Sequence, residues 1–345
     1  MTAQVAFLFP GQGSQAVGMG ADVYATSAAA KRVFETVDET LGFSLSNLCF
    51  SGPEETLRDT INAQPAIVTV SLAFLAAFQE ALSPEASSWS SPLTPAYTAG
   101  HSVGEYAALA AAGALDLTQT ALQVRERGRL MHQEGQACPG GMAAVIGMDA
   151  EVLQKVCREA TQQIQATIPP DATQRHPGQG QVVVANYNAP GQIVISGEQQ
   201  ALTRAIELAR TRGAKRVMPL SVSAAFHSPV MQPAAHNLAH SLATANIHDT
   251  TIPIISNITA TPLTSVAAMR KELAEQVAAP VQWIGTIDYL TNGGVRVFIE
   301  IGPGQALTGM IKRIAKGVMA LTIGSMADID KAVKVIHEMG IMHEV

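Results

Sequence analysis

The sequence predicts an α/β protein in which a mostly parallel sheet, covered by helices on both faces, is interrupted by a smaller inserted unit. Short apolar runs typical of buried strands alternate with helical patterns over most of the chain. Between residues 139 and 222 the order becomes β-α-β-β-α-β, which is that of a ferredoxin-like unit. We therefore expect a large domain at 1–138 and 223–345 and a small subdomain at 139–222.

Composition limits the class of protein. The 345 residues are 47% hydrophobic and 14% charged, which is typical of a compact globular chain. The net charge of -6 without a long Lys/Arg run argues against nucleic acid as a partner. We find no signal peptide, and we expect no apolar stretch to approach a membrane span of roughly 18 residues. Three scattered cysteines without a CxxC pair indicate reduced thiols in small core positions, and hence a cytoplasmic protein.

The elements of the first segment follow from apolar periodicity and its interruptions. The run at 5–9 is a buried strand because it is wholly apolar and Pro10 stops it. Apolar residues at three- and four-residue spacings predict the helices, and the proline- and serine-rich stretch at 83–92 predicts a loop. The further elements expected here are helices at 34–41, 64–82, 107–112 and 115–131, and a strand ending at 100.

The same reasoning gives the small subdomain and the last segment. A polar, proline-rich stretch at 168–180 predicts an insertion loop inside the subdomain. The subdomain strands are expected at 142–147, 182–186, 192–196 and 216–222, with helices at 151–160 and 201–212. The last segment is expected to contain a helix to 245, strands at 252–256, 295–301 and 319–323, and helices through 276, after 304 and through 339.

One turn carries a signature of serine chemistry. Gly100-His101-Ser102-Val103-Gly104 is a Gly-x-Ser-x-Gly sequence between a predicted strand and a predicted helix, which is the context of a nucleophile elbow. A Cβ at either glycine would crowd the turn, and the helix N-terminus favours negative charge near the serine. By itself the five-residue pattern leaves an ordinary structural turn as the alternative.

The glycine-rich loop after the first strand does not fit a nucleotide site. A dinucleotide fingerprint would need glycine at Ala16, and a phosphate-binding loop would need a Gly-Lys-Ser/Thr sequence that is not there. What remains is a loop that lets Gln12 approach a neighbouring group closely, with a plain tight turn as the alternative.

A serine nucleophile needs a base. Among nine histidines, His227 lies in a loop at the carboxyl end of a predicted strand, where open α/β sheets build their sites. His236 and His240 have helical i, i+4 spacing that could hold a metal, but no acidic or cysteine residue accompanies them. The three arginines of the helix at 115–131 cannot all share one face, so at most two can point at a site. They are Arg125, Arg127 and Arg129.

Seven motifs stand in order along the chain, and together they resemble a known family. The sequence is similar to malonyl-CoA:acyl carrier protein transacylases and related polyketide synthase acyltransferases over nearly its whole length. The motifs are GQGSQ at 11–15, GHSVGE at 100–105, RG at 127–128, NYNAPGQ at 186–192, AFHSP at 225–229, PVQW at 280–283 and EIGPG at 300–304.

The resemblance implies an α/β-hydrolase-like domain with an inserted ferredoxin-like subdomain, and a ping-pong acyl transfer. Ser102 would be the nucleophile and His227 its base. The backbone N–H groups of Gln12 and Val103 would form the oxyanion hole, and the backbone carbonyl of Gln276 would orient the imidazole. No cofactor is implied, because the coenzyme A thioester is the substrate. The partners implied are malonyl-CoA and an acyl carrier protein, and we expect a monomer.

The resemblance also implies substrate selectivity. Arg127, 25 residues after Ser102, matches the family arginine that binds the free carboxylate of the substrate. Phe226 matches a position where malonyl-specific relatives carry Phe and methylmalonyl-specific relatives carry Ser. Asn186, Asn188 and Asn257 match polar residues near the cleft, with a turn or strand end as the alternative for each.

Two other functions stay open as alternatives. A serine acyl hydrolase would use the same elbow and base with water as acceptor, although it would have no use for Arg127. A non-catalytic scaffold that binds carrier proteins would need neither Ser102 nor His227. The choice between fatty acid and polyketide biosynthesis stays open, because the loops at 83–92 and 168–180 look longer than the compact fatty-acid form.

Overall fold

The computed structural model describes residues 4–82, 93–169, 176–222 and 224–341. The strands are β1 (Gln4–Phe9), β2 (Tyr97–Gly100), β3 (Gly140–Ile146), β4 (Val182–Ala189), β5 (Gln192–Glu198), β6 (Arg216–Pro219), β7 (Ile254–Ile255), β8 (Pro262–Leu263), β9 (Val295–Ile301) and β10 (Met319–Ile323). The helices are α1 (Ala21–Thr26), α2 (Ala28–Leu41), α3 (Leu45–Ser51), α4 (Glu54–Arg58), α5 (Thr60–Leu82), α6 (Gly104–Ala111), α7 (Leu117–Ala137), α8 (Ala150–Gln165), α9 (Gln199–Thr211), α10 (Gln232–Thr244), α11 (Val266–Glu275), α12 (Trp283–Asn292), α13 (Ala306–Ile314) and α14 (Met326–Glu338). Two 3₁₀ turns lie at Pro229–Met231 and Gln276–Ala278.

The large sheet has the strand order β10-β9-β1-β2-β7-β8. β1 lies inside it, parallel to β2 on one side and to β9 on the other. Its side chains from Val5 to Phe9 are all buried, as expected for a strand covered on both faces. Because β1, β2 and β9 are parallel, the loops that follow them open at the same edge of the sheet. That edge holds the candidate site.

The second sheet is antiparallel throughout, with the order β4-β5-β3-β6. Its chain order β3-α8-β4-β5-α9-β6 is the predicted ferredoxin-like order, and α8 and α9 pack against it around a separate apolar cluster. The expected fold class, a parallel-rich α/β sheet with an inserted antiparallel unit, is confirmed. The boundaries at 139 and 222 stay a prediction.

Most predicted elements are present with shifted ends. β9 and β10 have the predicted bounds, whereas the strand expected at 252–256 is only Ile254–Ile255. The helix expected to run through 276 ends at Glu275 and continues as a 3₁₀ turn. The elements that we did not predict are α1, α3, α4, α12 and β8. Four of these have seven residues or fewer, too short to show a period, but α12 buries positions 283, 286, 287 and 290, a helical spacing that the sequence does display.

One helix corrects an expectation about membrane spans. α5 has 23 residues and is long and apolar enough, by length and composition alone, to cross a membrane. The expectation that no stretch approaches such a length was therefore wrong. The physical reason is that α5 is a central core helix, mostly buried against the large sheet and its neighbouring helices, so it is apolar all round.

The cysteines lie where the sequence places them. Cys49, Cys138 and Cys157 are buried and unpaired, which confirms small core positions. Of the two predicted loops, all of 83–92 and residues 170–175 of the second fall outside the described residues.

Candidate active site

Ser102 sits at a sharp turn between β2 and α6. Its φ of 52° is in the left-handed region, which non-glycine residues rarely adopt, and this conformation turns the hydroxyl towards the edge of the sheet. A Cβ built on Gly100 would lie 2.0 Å from the carbonyl of Gly104, and one built on Gly104 would lie 2.3 Å from the carbonyl oxygen of Phe9. The turn therefore requires glycine at both flanking positions.

His227 meets the serine from the loop before the 3₁₀ turn Pro229–Met231. Its Nε2 lies 2.7 Å from Oγ of Ser102. Its Nδ1 lies 2.9 Å from the backbone carbonyl oxygen of Gln276 and 3.1 Å from that of Ala279. Because both of these partners accept, Nδ1 carries the proton and Nε2 is free to take one from the hydroxyl. The orienting group is a pair of carbonyls, where many serine enzymes use an aspartate.

The base is held in its neutral form. Burial, together with the nearby guanidinium of Arg127, lowers the pKa of His227 from 6.5 to about 3. Only 3% of the residue is exposed. A neutral imidazole at physiological pH is the form that a general base requires.

Arg127 projects from α7 into the same space. Its Nη1 donates to Oε1 of Gln64 at 2.7 Å, and its Nη2 donates to Oε1 of Gln276 at 2.8 Å and to Oγ of Ser102 at 3.1 Å. The residue is 1% exposed, and burial lowers its pKa to about 10, so it stays cationic at neutral pH. A buried guanidinium that touches the serine hydroxyl can bind a carboxylate beside the reacting carbon.

The neighbouring arginines point elsewhere, as the helical spacing predicts. Arg125 donates to the carbonyl of Ile61 at 2.6 Å, and Arg129 pairs with Glu126 on the surface. Only Arg127 of the three reaches the serine.

Two backbone N–H groups are available to a developing oxyanion. Within the described ranges, the N–H groups of Gln12 and Val103 have no hydrogen-bond acceptor. Val103 directly follows the serine at the start of α6, and Gln12 lies in the glycine loop that lines the cavity. The Gln12 side chain binds elsewhere, since its Nε2 donates to Oγ1 of Thr60 at 3.2 Å, so the backbone N–H is the donor of this residue that is available.

A cavity of about 240 Å³ opens above the serine, between the two sheets. Its walls include Gln12, Arg127, Phe226 and His227 from the large unit. Asn186 and Asn188 of β4 line the opposite wall, and Oδ1 of Asn188 accepts from Nε2 of His101 at 2.9 Å. Phe226 stands next to the base in this wall, so its ring limits the room for an acyl group.

Asn257 lies beneath the elbow and is not among the cavity-lining residues. Its Oδ1 accepts from the backbone N–H of Ser102 at 2.8 Å, and its Nδ2 donates to the carbonyl of Gly100 at 2.7 Å. The residue is fully buried directly after β7. It therefore holds the strained turn from behind.

The described residues contain no group of three or more His, Cys, Asp or Glu side chains that could hold a metal. Nε2 of His236 and Nε2 of His240 approach to 3.3 Å on an exposed face of α10. Two ligands without a third give no closed site, and the absence of a metal stays a prediction.

Known proteins resemble the sequence over nearly its whole length. The acyl transferase domain family matches residues 6–335. Malonyl CoA-acyl carrier protein transacylase from Bacillus subtilis (strain 168) is 43% identical over 336 residues, covering 97% of this chain and 98% of that protein. The chain belongs to the malonyl-CoA:acyl carrier protein transacylase family. The resemblance drawn from the seven motifs is thereby confirmed.

Other members of the transacylase family are similar to this chain in sequence and in structure. The enzyme of the same name from Escherichia coli (strain K12) is 38% identical over 318 residues, covering 92% of this chain and 94% of that protein. The crystal structure of acyl-carrier-protein-S-malonyltransferase from Bartonella henselae is 39% identical with a TM-score of 0.87, covering 97% of this chain and 99% of that one. A malonyl-transacylase in complex with its type II polyketide acyl carrier protein is 35% identical, has a TM-score of 0.85 and covers 96% of this chain and 100% of that one.

Two residues of this transacylase-family site escaped the sequence analysis. Gln64 binds Arg127, and it is a polar residue in the mostly apolar α5, which was the available signal. Glu105 is fully buried three positions after the serine. Burial, with a contribution from Glu272, raises its pKa well above 4.5. The sequence shows a glutamate in the first turn of a buried helix, but it does not show which residues that glutamate contacts.

The depressed pKa of His227 gives a pH prediction. Its imidazole should stay neutral from about pH 8 down to about pH 5, whereas an exposed histidine titrates near 6.5. Because the folded pKa lies below the unfolded one, the unfolded chain binds the proton first, and this residue lowers the stability of the fold as the pH falls below about 6.5. NMR titration of the His227 ring protons measures this, with the chain in denaturant as control. A folded-state midpoint near 6.5 would contradict it, and Arg127→Ala should raise the midpoint.

Proposed function

We propose that the protein transfers a malonyl group from malonyl-CoA to the phosphopantetheine thiol of an acyl carrier protein, by way of an ester on Ser102. The observation that carries the proposal is the 3.1 Å contact between Nη2 of Arg127 and Oγ of Ser102. In a malonyl ester only one methylene separates the reacting carbonyl from the free carboxylate. A buried cation at this distance from the nucleophile suits such a short dicarboxylic acyl group.

In the first half-reaction, Oγ of Ser102 attacks the thioester carbonyl while Nε2 of His227 takes the hydroxyl proton. The oxyanion that forms is bound by the N–H groups of Gln12 and Val103. The intermediate collapses by breaking the carbon–sulfur bond, and the coenzyme A thiolate leaves with the proton from His227. The carrier thiol then gives its proton to His227 and attacks the ester carbonyl. The bond between that carbon and Oγ breaks, and Oγ takes the proton back from His227, which restores Ser102.

The remaining predicted residues have supporting roles in this proposal. The Gln276 carbonyl orients the base, and Phe226 limits the size of the acyl group. Asn186 and Asn188 face the bound thioester from the small unit, and Asn257 holds the elbow. We further propose that the small subdomain spans 139–222 and that the enzyme acts in the cytoplasm as a monomer, without cofactor, membrane or nucleic acid.

Hydrolysis of acyl groups from carrier proteins is the second candidate, because the same serine and base would activate water. A hydrolase of neutral chains gains nothing from a desolvated guanidinium, which makes an apolar acyl group a poor ligand. Arg127 therefore favours transfer of a carboxylated group.

Mass spectrometry of the intact protein after mixing with malonyl-CoA tests the proposal. We expect a stable malonyl adduct on Ser102, absent in Ser102→Ala, which disappears when a carrier protein bearing phosphopantetheine is added and is recovered on that carrier. Rapid release of free malonate without the carrier would favour the hydrolase, and a protein that forms no adduct would be a scaffold.

Arg127→Ala should separate malonyl from acetyl transfer. Loss of the charged hydrogen bonds should lower kcat/KM for malonyl-CoA by a factor of about ten to a hundred, while the acetyl-CoA reaction is unchanged or faster. Steady-state kinetics with both thioesters measures this, and Arg129→Ala, which removes a surface arginine of the same helix, serves as control. Equal losses with both substrates would contradict a carboxylate-binding role.

Phe226→Ser should admit a branched acyl group. Removing the ring opens space for the α-methyl of methylmalonyl-CoA, and one methyl shifts discrimination by about 1 to 3 kcal/mol. Competition between malonyl-CoA and methylmalonyl-CoA gives the ratio directly. Leu220→Ser, at a solvent-exposed position in the lining of the same cavity, should leave the ratio as it is. An unchanged ratio in Phe226→Ser would count against steric selection at this position.

A further inference from the structure

Glu105 lies directly beneath the candidate active site and is completely buried in the first turn of α6. Its Oε1 accepts the backbone N–H of Asn257 at 3.1 Å. Its Oε2 accepts Nε2 of Gln276. No contact joins it to Oγ of Ser102, to the imidazole of His227 or to the cavity. Any influence on the reaction must therefore pass through its hydrogen-bond partners or through its charge, which acts on Arg127.

The side-chain amide of Gln276 has a donor, its NH₂ group, and an acceptor, its oxygen, and both are hydrogen-bonded. Nε2 donates to Glu105 and to the backbone carbonyl of Ser102 at 3.1 Å, while Oε1 accepts Nη2 of Arg127 at 2.8 Å. A guanidinium has donors only. If the amide turned over, its NH₂ group would face the guanidinium and its oxygen would face the carboxyl group of Glu105.

We infer that Glu105 is a positioning residue for Arg127, and that it acts by fixing the orientation of the Gln276 side chain. With the amide held by an acceptor at one end, its oxygen can only face Arg127. The guanidinium is then kept beside Ser102, where the carboxylate of the acyl group binds in the proposed function, on which this inference rests. Selectivity for a carboxylated acyl group thus depends on a residue that never meets the substrate.

Glu272 provides a matched comparison, because it is a second buried carboxyl group in the same region. It accepts from Oγ of Ser256 at 2.7 Å and from the backbone N–H of Ile258 at 3.0 Å. It stabilises the turn after β7 and has no hydrogen bond to Gln276 or Arg127. A purely structural effect of losing a buried carboxylate should therefore look alike at both positions.

The test compares kcat and KM for malonyl-CoA and acetyl-CoA in the wild type, Glu105→Gln and Glu272→Gln. In Glu105→Gln one end of the side chain becomes a donor, so the Gln276 amide loses one of the two acceptors that fix its orientation and keeps only the Ser102 carbonyl. We expect kcat/KM for malonyl-CoA to fall about tenfold more than for acetyl-CoA, mainly through KM. Glu272→Gln should keep the wild-type ratio. Equal losses with both substrates in Glu105→Gln, or no loss, would overturn the inference.

A double-mutant cycle tests the route through Gln276. Gln276→Leu keeps the carbonyl that orients His227 but removes the amide, so it should lower the malonyl-to-acetyl ratio by itself. Adding Glu105→Gln to it should change that ratio no further. An additional fall, or a Gln276→Leu enzyme with the wild-type ratio, would sink the idea.

Two safeguards keep the outcomes separate. If Glu105→Gln does not fold, Glu105→Asp enters the same cycle, since its shorter side chain withdraws the acceptor from Gln276. A wild-type enzyme that fails to transfer malonyl would overturn the proposed function, whereas normal malonyl transfer with an unchanged ratio in the Glu105 variants overturns this inference alone.

Discussion

A buried positive charge that pairs with no carboxylate among the described residues is the constraint on which the rest of the site depends. Arg127 is 1% exposed, and its hydrogen bonds go to the amides of Gln64 and Gln276 and to the hydroxyl of Ser102. Its Nε has no acceptor within the described residues. Removing a guanidinium from water is unfavourable, and neutral amides offset only part of that free energy. A carboxylate that enters the cavity can therefore form the charged hydrogen bonds with the Arg127 guanidinium that the protein itself does not supply.

The same charge shapes the chemistry of its neighbours. It is the second cause, after burial, of the low pKa of His227, so the group that we propose to select the substrate also keeps the base unprotonated. The serine and the histidine both adopt left-handed φ angles, 52° and 56°, which cost on the order of 1–3 kcal/mol each. Asn257 and the carbonyls of Gln276 and Ala279 hold these two conformations in place. These two strained conformations lower the stability of the fold, but they bring Oγ of Ser102 and Nε2 of His227 to within 2.7 Å of each other.

Sequence reasoning reached the groups proposed to do the chemistry and the carbonyl proposed to orient the base, but it missed the side-chain amides that bind Arg127. Ser102, His227 and Arg127 stand in short patterns whose residue types have an evident chemical use. The strands β9 and β10 were predicted because their sequences are mostly apolar. The amide of Gln64 meets Arg127 across 63 positions, and that of Gln276 meets it across 149. Such contacts depend on how α5 and α7 pack and on a 3₁₀ turn, and the local spacing of apolar residues indicates neither of these. The short helices were not predicted because they contain too few residues to show a period.

The position of the small unit explains why a serine site of general design can serve transfer. Asn186 and Asn188 of β4 close the cavity opposite the elbow, and Arg313 of α13 donates to the carbonyl of Pro190 at 2.6 Å, which ties the β4–β5 turn to the large unit. The carbonyl of an ester on Ser102 would thus be enclosed on two sides, and Arg127 would hold the malonyl carboxylate on a third. Little room for water would remain in such a space, because the acyl group would occupy much of a cavity of about 240 Å³. A thiol on a long, thin arm could reach the carbonyl through the remaining opening, and the arm would then fill the space through which water would have to approach, which favours the thiol as the second acceptor.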